Sequence, residues 1–132
     1  MRWFGRDRPP DVWETGSQPE GDIEAAQRIR EICAAAAAIV ERMATLRGRN
    51  AETQKNAEAE RHQAAVKCAL EIARQMSDDG MRDVSVSQII HLCVKASHLK
   101  TAKVLLRAIQ SEKIRDELIA DHSVLSDQDA AS

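Results

Sequence analysis

Residues 22–46, DIEAAQRIREICAAAAAIVERMATL, decide the fold. Ala25, Ile29, Ile32, Ala36, Ile39, Met43 and Leu46 recur at alternating spacings of four and three. That spacing is the a/d seam of a helix packed on another helix, sustained over about three heptads in the manner of a coiled coil. Cys33 and Val40 flank the seam and widen it, while Glu24, Arg28, Arg30, Glu31, Glu41 and Arg42 occupy the solvated face. The run Ala34–Ala38 adds helix propensity with little bulk, so a partner helix can approach closely there.

Working forward, Asp22 reads as the N-cap of this helix and Gly48 as its stop. A second helix runs from Ala51 to Met76 with Asn50 placed to cap it. Extending the first seam across Gly48 lands on Asn50, Thr53, Ala57, Glu60, Ala64 and Lys67, a mostly polar row. The real apolar row is Ala59, Val66, Ala69, Ala73 and Met76, with Leu70 and Ile72 beside it and His62 within it. The phase slips by about a residue, which predicts a break and an antiparallel hairpin rather than one rod.

Such a hairpin sets Ile39, Met43 and Leu46 against only Ala51, Ala57 and Ala59. Alanines leave those larger side chains partly wet. Two covers are available: the carboxyl-terminal helices, through Val104, Leu105 and Ile109, or a second molecule.

Further on, Ser77-Asp78-Asp79-Gly80 reads as a turn, and Ser85 with Gln88 as a capping box opening a third helix. Ile89, Leu92, Ala96, Leu99, Ala102, Leu106 and Ile109 form a helical stripe, with a turn expected at Ser97–His98. Ser111 is placed to cap a last helix carrying Ile114, Leu118 and Ile119, and the polar chain after Asp121 is expected to fray.

The fold expected is therefore an all-α helical bundle of four to five helices built on a long antiparallel hairpin. Residues 1–21 form a flexible Pro/Gly-rich arm, 22–121 the single helical domain, and 122–132 a polar tail. The 132-residue length suits one domain. Trp3, Phe4 and Trp13 are all the aromatics, so the core is aliphatic, which favours helix over sheet. One arm aromatic is expected to dock on the helical body. The sharper alternative is a short motif for a partner or membrane surface, with Arg2, Arg6 and Arg8 beside the rings.

The net charge of −2 is unevenly spread. Residues 81–110 hold Arg82, Lys95, Lys100, Lys103 and Arg107 against Asp83 alone, a net of +4, and residues 111–132 carry −4. Cys33, Cys68 and Cys93 are odd in number and far apart, and read as reduced, buried residues of a cytoplasmic protein. No apolar run approaches the roughly 18 residues of a membrane span, and no signal-peptide core opens the chain.

No Gly-rich phosphate loop, nucleophile elbow or isolated carboxylate pair points to catalysis. His62, His91, His98 and His122 lack the spacing of a zinc site and read as satisfied or solvated; no metal or cofactor is expected. Two functions follow. The first is a non-enzymatic protein–protein interaction module, an adaptor or small regulator, binding a second copy or a helical partner through Ile32, Ile39, Met43 and Leu46. The alternative is a small nucleic-acid-binding regulator using the basic helices of residues 86–110, with Lys95, Lys100, Lys103 and Arg107 on phosphates. Against it, the turn at Ser97 lacks the glycine usual in DNA-reading helical pairs, and a solvated helix face explains the same lysines.

Overall fold

The structure, a computed structural model, describes Trp13 and residues 18–126. Trp3, Phe4, the rest of the proposed arm before residue 18, and residues 127–132 lie outside it. Among the described residues there are five α-helices and one short 3-10 turn, and no strand.

α1 (Asp22–Thr45) and α2 (Ala51–Arg74) form the expected antiparallel hairpin. The heptad row does what its spacing requires: Ala25, Ile29, Ile32, Ala36 and Ile39 are all buried, packed against α2 and α3. Gly48 turns the chain with φ at +101°, a left-handed value that favours glycine, and nothing crowds its missing Cβ. Asn50 precedes α2 but its side chain makes no cap bond.

Asp22 is not the cap of α1. Gly21 holds that position, and the Asp22 carboxylate instead accepts from the backbone N–H groups of Ser77 and Asp78, at 2.9 and 2.7 Å. The acid so placed ties the start of α1 to the turn leaving α2.

α3 (Asp79–Lys95) starts six residues before Ser85. Asp78 caps it, its carboxylate accepting from Met81 N–H at 2.8 Å, and Gly80 lies inside the first helical turn. A Cβ on Gly80 would sit 3.3 Å from Asp78 Oδ1, so the glycine makes room for the cap rather than for a loop. Ser85 is consequently a buried mid-helix residue, not a cap.

The turn between α3 and α4 (Leu99–Ala108) falls at Ser97–His98 as expected. It is a Schellman motif: His98 N–H donates to Cys93 C=O at 2.8 Å and Ser97 N–H to Val94 C=O at 2.9 Å. Ser97 takes the left-handed position, with φ at +65°.

α5 (Glu112–Asp121) is capped by Ser111, whose hydroxyl accepts from Ile114 N–H at 3.2 Å. The turn before it is held from outside. Buried Asp83 accepts from the N–H groups of Gln110 and Ser111, and Arg115 donates to the Ile109 carbonyl at 2.8 Å.

The chain does not fray at Asp121. A 3-10 turn, Ser123–Leu125, follows, and it buries Leu125 against α4 and α5. One apolar side chain in a polar stretch is enough to carry the domain past its expected end.

The expected docking of an arm aromatic occurs at Trp13. It packs partly buried against the core, Arg61 stands 5.9 Å over its ring, and Cys68 Sγ donates to its carbonyl at 3.7 Å.

Candidate functional site

Helix lengths leave one end of the hairpin uncovered. At 1.5 Å per residue α1 is about 36 Å long and α3 about 25 Å. α3 starts beside the base of α1, where Asp22 holds Asp78, and its last residue, Lys95, pairs with Glu41 at 3.0 Å. Beyond Met43, which still borders the α3–α4 turn, the hairpin projects on its own.

The carboxyl-terminal helices do not close this end, contrary to the covering expected from residues 104–109. α4 packs mainly on α3, α5 joins it there, and Val104 is 55% exposed. Of the four proposed interface residues, Ile32 and Ile39 are consumed by the chain's own core. Met43, at the base of the projection, and Leu46, on it, are half-buried. Facing them from α2 are small residues, with Ala57 exposed and Ala51 and Ala59 half-buried. Arg42 of α1 reaches Glu58 of α2 at 3.3 Å and ties the two helices together just below the tip, while Arg61 holds the same carboxylate from within α2 at 2.6 Å.

Where the projection meets α3, Val40, Met43 and Ala59 border a small notch of about 70 Å³ that is shared with His62, Ala96 and His98. The same two histidines also line a larger cleft of about 470 Å³, with Val66, Cys93, Lys100 and Thr101. The structure thus brings Met43 from one predicted set and Lys100 from the other to two cavities that share a histidine pair.

His62 is 1% exposed, and neither ring nitrogen has a hydrogen-bond partner. Its ring meets that of His98 edge to face, with centroids 5.3 Å apart. Burial, and then the neighbouring His98, lower its pKa and keep the imidazole neutral. From the sequence His62 reads as satisfied or solvated. Its place in an apolar row was visible, but its contact with a residue beyond α3 was not. Burial pushes the Cys93 thiol up to about 11, so it is a weak nucleophile at neutral pH. Cys33, Cys68 and Cys93 are all free.

The predicted cations divide. Lys95 is engaged by Glu41, Lys100 and Arg107 are exposed on α4, and Lys103 between them is half-buried. Asp83, the one acid of residues 81–110, is turned inward as a backbone acceptor. Among the described residues no three His, Cys, Asp or Glu side chains gather as metal ligands do, and no helix is long and apolar enough to cross a membrane.

No protein-family model matches the chain, and neither the curated proteins nor the solved structures contain a match to it.

Proposed function

We propose that this protein is a non-enzymatic helical interaction module whose contact surface is the projecting hairpin tip, and that it takes a second copy of itself there. The observation that carries this reading is the half-burial of Leu46 at a hairpin tip that no other helix covers, with half-buried Met43 beside it at the edge of the notch. Bulky residues on α1 lie beside alanines on α2, so a twofold pairing sets Met43 and Leu46 of each copy onto Ala51 and Ala57 of the other. Charge does not oppose it: across residues 41–60, Glu41, Glu52, Glu58 and Glu60 balance Arg42, Arg47, Arg49 and Lys55.

The test is molecular mass by sedimentation across a dilution series. Dimer at high concentration, weakened by Met43→Ala and Leu46→Ala without loss of helicity, is expected. Monomer at every concentration sinks the self-association.

A second reading is favoured by one observation, the inward turn of Asp83, which takes the one acid of residues 81–110 away from the exposed Lys100 and Arg107 of α4. In that reading α4 contacts nucleic-acid phosphates. Anisotropy of a labelled duplex should then show binding that falls steeply with salt, and absence of binding at low salt retires it.

A further inference from the structure

The start of α4 and the buried His62 face the same cleft. A helix leaves its first N–H groups without intrahelical acceptors, and the aligned peptide dipoles make that end positive. In α4 the first helical amide bond is Ala102 N–H to His98 C=O at 3.1 Å, and no side chain caps the helix. The amides of Leu99, Lys100 and Thr101 are therefore open to an acceptor from outside the helix. Lys100 and Thr101 line the cleft at that point with an ammonium and a hydroxyl.

A helix start alone is an ordinary surface feature. What sets this one apart is the cleft wall, where an imidazole with 1% exposure has a donor and an acceptor nitrogen and satisfies neither. A buried polar group left so costs about 1–3 kcal/mol. A ligand that reaches it recovers that cost.

We infer that this cleft binds a small organic phosphate, its phosphoryl oxygens on the α4 amides and Lys100, and its organic part against His62, Val66 and Cys93. The division follows from size and chemistry. A volume of about 470 Å³ lies within the range of small-molecule sites and far exceeds what a bare phosphate fills. The one ammonium, that of Lys100, and the open amides sit at the α4 end, while Val66 and the Cys93 thiol line the cleft with apolar atoms. His62 lies among them and supplies a hydrogen bond to a polar atom of the organic part. This site is separate from the hairpin tip, and its occupancy does not depend on self-association.

The experiment is a nitrogen–proton NMR titration of the full chain with ribose phosphate, inorganic phosphate and ribose. Ribose phosphate should give saturable shifts at the amides of Leu99, Lys100 and Thr101 and at the His62 ring nitrogens. Inorganic phosphate should bind more weakly, and ribose not at all. Lys100→Gln, on the surface, should weaken ribose phosphate by about tenfold, the loss of one charge-assisted hydrogen bond. His62→Phe, which removes both nitrogens and keeps the ring, should weaken it while leaving inorganic phosphate unchanged.

Three results overturn the inference. One is the absence of saturable shifts at these amides. Another is ribose phosphate binding no tighter than inorganic phosphate, which makes the site one for a free ion. The last is a DNA duplex that shifts the same amides while ribose phosphate is silent.

Discussion

His91 Nδ1 on α3 lies 2.6 Å from His122 Nε2 at the end of α5, a hydrogen bond between imidazoles 31 residues apart. Such a bond needs one N–H and one lone pair, so it fails when both rings carry two protons. His122 leads directly into the 3-10 turn that seats Leu125, which makes this bond a fastening for the end of the domain.

Acid should loosen that fastening. His91 has its pKa lowered from the ordinary 6.5, mainly by burial and then by His122, with Asp121 acting in the opposite sense. A lowered value means the unfolded chain binds the proton more readily, so stability is full above about 6.5 and falls as pH drops below it. His62 works in the same direction. Thermal unfolding followed from pH 7.5 to 5 should show a falling midpoint, and His122→Ala should flatten the fall. A midpoint that rises toward pH 5 would contradict the assignment.

Ser97 is a second point of leverage. Its φ of +65° completes the Schellman motif in a conformation that costs a side chain about 1–2 kcal/mol. Ser97→Gly removes that cost, and part of the gain is returned through the freer unfolded chain. A net stabilisation of about 0.5–1 kcal/mol is expected in urea titrations, and Ser97→Val should destabilise. Equal midpoints for the unaltered protein and both variants would show that the turn is not strained.

Asp83 should prove expensive to remove. Asp83→Ala takes the acceptor from the part-buried N–H groups of Gln110 and Ser111, at a cost of about 1 kcal/mol. Asp83→Asn keeps one acceptor oxygen and should fall between. Denaturant midpoints rank the three proteins, and a neutral Asp83→Ala would mean the α4–α5 turn is held by Arg115 alone.

Local signals and distant contacts separate cleanly in this chain. The α1 seam and the Ser97–His98 turn were legible because each is written within a few residues. Ser85 with Gln88 has the pattern of a capping box, yet Asp78 caps α3, and the glycine of the turn-like Asp-Gly pair accommodates that cap. Leu125 escaped notice because a lone apolar residue has no period. The tip stayed open because covering depends on where α3 ends, a matter of relative helix length rather than of any residue's own character. The candidate cleft was out of reach for a similar reason. His62 and His98 belong to different helical segments, and only the folded chain sets one imidazole against the other.

The clasp from Asp22 to Ser77 and Asp78 has a bearing on how the molecule breathes. It shuts the hairpin at its base, where α3 also begins, and leaves the Gly48 end with few neighbours. Partial unfolding then proceeds in one direction, from the tip inward, and amide protons near Ala44 and Ala51 exchange with solvent well before those around Ile29 and Ala69. The chain keeps its most rigid part and its most pliable part at opposite ends of the same two helices.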